Sequence, residues 1–554
     1  MITDEVIVDY VNTCKKEAES ARKGIQQGWD ELWQLYQNRQ DFSKKADWQS
    51  KCSIPKLATA IEKASAIVKK GLVGSPSYFT VESLLYPEKI LLTKDLIDLY
   101  LKKANFIPKF VEATTIGLIL GIASQKFWWE EALKIKNVDP YNLFLDPEAK
   151  SFDFSDSRYV IERVEEDLGV LKNRIKDPEL KKYWKVETID KIEEDYRRMD
   201  LEAKERLRRG MSSPSGNKYH KKVELLEFWG NLVDEDGNIV EEKQLVVIAN
   251  GKYVARHQDN PFWHKNPPYV LNLPKPYPFR LIGKSMIGNS ARMQYTLNNI
   301  INLQVDNLNY AINKLFRADL PTIGNIETLM NIYPGKVINA PSGAFEALRV
   351  GDIPMGSFAE LNFFDREIQN STAVTEFLMG LPTAKGRPTK GEVVAKTAEG
   401  HSHFDSMAYD IEKQTMGKII EMVHALIIQF AFIEPVDPAL AKLCEKHGNM
   451  ITALSEKERR DLATGDFTFK GSGISLMLAQ DEKLQKLFML LRFTEDPKIA
   501  QKYDRLKIID KIIELLGVGN VEDFKVTAPP MPEMPPAGLP GAMMGMGGLP
   551  EMGR

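Results

Sequence analysis

The sequence predicts a mainly α chain with a small β component, an α+β fold, and three observations carry that expectation. Apolar residues recur at three- and four-residue spacing along most of the 554 positions. One stretch, 223–256, switches to strand-rich segments separated by turn residues. The passage 261–278 is too rich in proline to be a regular helix or a central strand.

The elements follow in chain order. Residues 1–50 read as a charged helical segment in which Ile25, Trp29, Leu32, Trp33 and Tyr36 share one face. Ser53-Ile54-Pro55 breaks it and opens a second helix running to about Gly71. Helical patterns continue over 89–105 and 108–122. The most apolar window, 114–123, is about half the length a bilayer requires and reads as a buried core helix. Residues 138–147 form a short strand between Asp139-Pro140 and Asp146-Pro147. The charged stretch 162–209 reads as a solvated helix pair, with Glu165/Glu166 and Glu193/Glu194 on its surface. A three-stranded meander is expected over 223–233, 239–249 and 252–256, the last turn being Asn250-Gly251.

A long helix is expected over 285–317. On its wheel Asn298, Asn302, Asn309 and Asn313 fall within about 60° of one another. Asparagine is a mediocre helix former, so such a stripe calls for another reason. Leu297, Ile300, Ile301, Leu308, Ala311, Ile312 and Leu315 form an apolar arc beside it. Residues 318–356 are short, Gly/Pro-punctuated and β-like, and 357–378 is a helix. The loop 379–391 carries Lys385, Arg387 and Lys390 without an acidic residue. A helix over 392–432 is interrupted only by Gly400 and Gly417, a helical region fills 436–524, and 528–554 is expected to be disordered.

Composition narrows the function. Against 77 Asp and Glu stand 74 Lys and Arg, a net charge of −3 that excludes coating nucleic acid by bulk charge. The three cysteines, Cys14, Cys52 and Cys444, make no CxxC or CxxH pair, which argues against a disulfide framework or a cysteine zinc site. The start of the chain lacks a basic region before an apolar stretch, so no signal peptide and no membrane partner are expected.

No catalytic residues, cofactor or metal are expected. Gly283-Lys284-Ser285 ends like a P-loop, but the position needing the first glycine is Pro278. His401 and His403, two apart on a helix, diverge by about 200° and cannot close on one ion, with or without Asp405. HExxH, GxSxG and dinucleotide fingerprints are missing.

The order of features over roughly 265–432 resembles the portal proteins, the head–tail connectors of tailed double-stranded-DNA bacteriophages. Pro267-Pro268-Tyr269 and the run Pro276 to Ser285 resemble that family's lead-in to its long helix. Asn298-Asn299-Ile300-Ile301-Asn302 with Asp306-Asn307 resembles the helix, and 375–396 resembles the turn into its long wing helix. The resemblance covers about a third of the chain and implies a wing/stem/clip/crown subunit. It implies wing 1–284, first stem helix 285–317, clip 318–356 and second stem helix 357–378. It further implies tunnel loop 379–391, long wing helix 392–432, crown 433–527 and tail 528–554.

The function it implies is a ring, usually of about twelve subunits, at one vertex of the virion. Double-stranded DNA passes through it during packaging and ejection, and terminase, tail adaptor, major capsid and scaffold proteins are its partners. Lys385, Arg387 and Lys390 would then touch DNA phosphates from the tunnel loop, and Asn298, Asn302, Asn309 and Asn313 would face the channel. Two other readings stay open. A phosphoryl-transfer or nucleic-acid enzyme would need clustered carboxylates or a P-loop. A helical scaffold or adaptor would be a small oligomer without an axial channel.

Overall fold

Helix α1 (Asp4–Tyr36) begins at Thr3, whose hydroxyl accepts from the Val6 amide, with Asp4 and Glu5 in the first turn where the helix dipole favours them. The computed structural model describes residues 2–75, 78–176, 181–194, 221–312, 316–319, 341–347, 356–375, 378, 402–433, 437–448, 454–465, 467–473, 484, 486–492, 494 and 505–516. The inner face of α1 changes partners halfway along. Ile7, Val11, Cys14 and Ala18 pack with Phe144, Tyr159, Ile161, Leu226 and Phe228, while Trp29, Leu32 and Leu35 join a second, larger core. Arg22 marks the changeover: its guanidinium donates to the carbonyls of Pro140, Tyr141 and Leu143 and lies 4.2 Å from the Phe144 ring.

Helices α2 (Lys56–Val73), α3 (Ile90–Lys103) and α4 (Phe106–Leu120), with strand β1 (Phe79–Ser83) between the first two, match the expected helical pattern within a few residues. The apolar window is indeed the buried end of α4. Gly121 stops it with φ +84, a left-handed conformation suited to glycine. A hairpin the sequence does not advertise follows, β2 (Ala123–Glu130) and β3 (Ala132–Val138), turning at Glu131 with φ +58. Asp139 then accepts from the Tyr141 amide at 3.0 Å before the short strand β4 (Leu143–Leu145).

The charged stretch corrects the expected helix pair. Residues Tyr159–Asp167 are strand β5, so Glu162, Glu165 and Glu166 lie in a sheet, and helices α5 (Leu168–Lys176) and α6 (Val186–Glu194) come after it. The meander appears where expected, as β6 (Lys222–Val233), β7 (Ile239–Ala249) and β8 (Tyr253–Asp259), but it is part of a five-stranded antiparallel sheet ordered β4-β5-β6-β7-β8. Within the proline-rich passage, β9 (Tyr269–Asn272) pairs with β2 at an edge of the sheet β3-β2-β9, where prolines are tolerated.

Period-2 alternation explains why Glu162 is charged yet 1 % exposed. Its neighbours Tyr159 and Ile161 face α1, whereas Glu162 faces β2. There Lys126 Nζ meets Glu162 at 2.8 Å and also pairs with Glu227, Lys136 reaches Glu162 at 3.4 Å, and Tyr269 donates its hydroxyl at 2.9 Å. Burial alone would raise the Glu162 carboxyl, but the two lysines and these hydrogen bonds hold it below its ordinary range. Lys126 is pushed up because its two carboxylate partners outweigh its own burial.

Farther on come α7 (Ala291–Ile312), the paired strands β10 (Phe316–Ala318) and β11 (Phe345–Ala347), and α8 (Gly356–Thr372). Residues 402–411 are helical and run through one wide π turn, Glu412–Met416, into α9 (Gly417–Phe430). Gly417 is therefore no interruption. A Cβ there would stand 2.9 Å from the Phe469 carbonyl, so glycine lets a strand approach the helix. Helices α10 (Pro438–Lys446) and α11 (Glu456–Ala463) fall within the expected helical region, but Phe467–Gly471 is strand β12, paired with β1. Residues 478–554 form a separate unit that contains α12 (Arg505–Leu516).

Candidate functional site

The lead-in, α7 and α8 hold most of the residues singled out in the sequence. Helix α7 starts at Ala291 rather than Ser285, because the Ser285 hydroxyl accepts from the amides of Ile287 and Gly288 and shapes a turn first. Gly283-Lys284-Ser285 makes no phosphate cradle. The Gly283 amide donates to the Gly121 carbonyl at 3.1 Å and the Lys284 amide to the Lys275 carbonyl at 2.8 Å. A Cβ on Gly283 would lie 2.4 Å from the Lys275 carbonyl oxygen, so only glycine fits this crossing.

The asparagine stripe divides in two. Asn298 and Asn302 are 2 % and 1 % exposed, which corrects their expected place facing a channel. They belong to a ladder of Gln294, Asn298, Asn302 and Asp306, spaced four apart, that grips the non-helical segment 50–55 and the first turn of α2. Asn302 Oδ1 accepts from the Cys52 amide at 2.7 Å while its Nδ2 donates to the Cys52 carbonyl at 2.9 Å. Asn298 Oδ1 accepts from Ile54 at 3.1 Å, Gln294 accepts from Leu57 and donates to Ile54, and Asp306 accepts from Ser50 at 2.6 Å. The side chains thus supply the pairing a neighbouring strand would give to this half-buried backbone. Asn309 is exposed, and Asn313 lies outside the described residues.

The remaining surface of α7 is nearly uncharged. Arg292 and Asp306 are its sole charged residues, and Asp306 is buried in the ladder. Leu303 is 67 %, Leu308 55 % and Ile312 69 % exposed, and on α8 Phe358 and Phe363 are exposed as well. α8 packs against α7 and carries Glu360, Asp365 and Glu367 against Arg366. Asp365 pairs with Lys56 at 2.7 Å, so Glu360 and Glu367 make the residual acidity. Lys385, Arg387 and Lys390, together with Glu376 and His401, lie outside the described residues. His403 is half-buried on the 402–411 helix, its imidazole held below its ordinary value by burial and by the Lys275 cation. Among the described residues no group of His, Cys, Asp and Glu side chains could hold a metal ion, and no helix is long and apolar enough to cross a membrane.

Sequence reasoning singled out two ladder residues but assigned them the wrong partner, and it missed Gln294 and Asp306. The available signal was the strict four-residue spacing of amide and carboxylate side chains. A comparison with protein families matches residues 123–435 to the model described as phage SU10 portal protein. A comparison with curated proteins gives no match.

Proposed function

The chain belongs to the phage SU10 portal protein family, and from that premise we propose that it forms the ring at one capsid vertex through which double-stranded DNA is packaged and ejected. The observation that carries the ring is the exposed apolar face of the α7–α8 pair, with Leu303, Leu308, Ile312, Phe358 and Phe363 bare on the single chain. Apolar side chains so placed on two packed helices suit a heterologous contact with the next subunit, which closes into a ring when its rotation closes.

In this reading α7 and α8 are the stem, 318–356 the clip and 433–527 the crown. The ring has about twelve subunits. It sits in the virion and docks a terminase motor, a tail adaptor and the capsid and scaffold proteins. Catalysis is left to the motor, in keeping with a Gly283-Lys284-Ser285 segment whose first two amides are already bound within the chain. A conduit must hold a polyanion without gripping it, since every neutralised phosphate adds salt-sensitive affinity. The weakly charged α7 with exposed Asn309, the acidic Glu360 and Glu367, and sparse cations Lys385, Arg387 and Lys390 on the 379–391 loop fit that demand.

Negative-stain imaging with light-scattering mass tests the ring. Particles of about twelve subunits with a central hole are expected. A monomer or dimer at every salt concentration, with and without co-expressed scaffold, favours the adaptor reading and overturns this one. Replacing Lys385, Arg387 and Lys390 together by Ala is expected to reduce DNA retention in packaged heads. Unchanged retention makes the loop a simple linker.

A further inference from the structure

We propose that residues 275–284 form a rigid finger that contacts the phosphate backbone of double-stranded DNA, separately from the 379–391 loop. The natural ligand named here rests on the portal reading; the contact chemistry does not. From Asn260 to Val305 the chain contains five Lys and Arg residues and no Asp or Glu. Three of those cations, Lys275, Arg280 and Lys284, gather on this one turn. Among the described residues none of the three has a carboxylate within ion-pair distance. Lys275 is half-buried, and burial together with the neighbouring Lys284 cation pushes its ammonium below the ordinary value. Positive charge is therefore concentrated here without local compensation, and a polyanion is the partner that would supply it.

The turn is also built to stay put. Its base is fixed by the Lys284 amide on the Lys275 carbonyl, by Gly283 on Gly121, and by the Met286 amide on the Leu118 carbonyl at 2.9 Å. Arg280 stacks over the Tyr277 ring at 4.0 Å and Lys284 Nζ lies 4.8 Å from the same ring. Arg280 Nε donates to the Ile282 carbonyl at 2.9 Å, which orients the guanidinium fork and leaves its terminal N–H groups for an outside acceptor. At the tip, Phe279 has φ +63 and is 83 % exposed. A bulky residue in that conformation is strained, and no burial within the chain rewards it. An exposed ring between cations is a surface on which sugar or base edges can lie without sequence preference. Contacts to phosphate and sugar carry no sequence information, so binding is expected to be indifferent to sequence.

The test uses assembled full-length rings, checked by imaging, and fluorescence anisotropy of a mixed-sequence DNA duplex over a salt series. R280A/K284A is expected to weaken binding severalfold and to make the slope of log affinity against log salt shallower by about one unit or more. F279A is expected to weaken binding with the slope unchanged, and R280K/K284R to keep most of the affinity. Intact R280A/K284A rings that bind with wild-type affinity and slope overturn the finger and leave the portal reading standing. R280A/K284A chains that fold but do not close into rings would place the turn against the neighbouring subunit, a protein partner, and also overturn it. If the wild-type chain forms no ring, the portal reading fails, yet loss of DNA binding in R280A/K284A still supports the finger.

Discussion

Asn302 commits both ends of its amide to the main chain of one residue, Cys52, as a base pair does with two bonds. Truncation would leave the half-buried N–H and C=O of Cys52 unpaired, at a cost of up to about 1–3 kcal/mol each. Asn302→Ala is therefore expected to lower unfolding stability by roughly 2–4 kcal/mol in urea titrations. Asn309→Ala, on the exposed end of the same stripe, should fall within about 0.5 kcal/mol of wild type. Equal effects would contradict the ladder. A wheel ranks the four asparagines as alike, because it registers angle and not the neighbour. Nothing in the 50–54 segment, which has no periodicity, announces that it will lie along α7. At Phe279 the strain gives a second residue-scale expectation. Phe279→Asn tolerates the left-handed backbone and should raise stability by about 1 kcal/mol, read from the shift of the urea midpoint.

At the scale of elements, the pairing of Lys126 with Glu162 and Glu227 joins the β3-β2-β9 sheet to the larger one. Removing one partner of a buried pair strands the other. Lys126→Met is expected to cost about 3–5 kcal/mol in urea unfolding. Adding Glu162→Gln should recover part of that loss, since a neutral amide oxygen still accepts from Tyr269. A loss below about 1 kcal/mol in the single variant would mean the pair is well hydrated. The same residues explain which elements could be read beforehand. Helices α1 to α4 and the meander carry clear periods and an Asn-Gly turn. β5 does not, because charges sit on a strand face where lysines from another sheet neutralise them. The β2–β3 hairpin was hidden for a related reason: Glu131 holds a positive φ usually given to Gly or Asn.

Across the whole molecule, acid should act in two stages. The Nε2 atoms of His264 and His424 are buried without a hydrogen-bond partner. Burial, aided by Lys265 at His264, pushes their imidazoles down to about 4 and about 3, and His424 sits between Phe467 and Phe469. An unfolded histidine takes its proton near pH 6.5, so both contributions are complete above that pH and fade as pH falls through the window down to the folded values. Each histidine should remove about 2 kcal/mol by about pH 5, and His424→Leu should halve the fall. Glu162 and Asp146, whose carboxyls are held below their ordinary values, add their loss only in stronger acid. A flat urea midpoint between about pH 7 and 5 would show that these imidazoles meet water.

The ladder has one more outcome. Because α7 reads the backbone of residues 50–54, the side chain of Cys52 is left outside, and Cys52 is the exposed one of the three cysteines. Cys14 and Cys444 are buried, which pushes the Cys14 thiol up to about 12 and raises that of Cys444, so neither offers a reactive thiolate. A maleimide dye added to the native chain should label one position, at the seam between the amino-terminal segment and α7. The natural sequence thus offers a single attachment point for a dye, whose emission would register any parting of those two pieces.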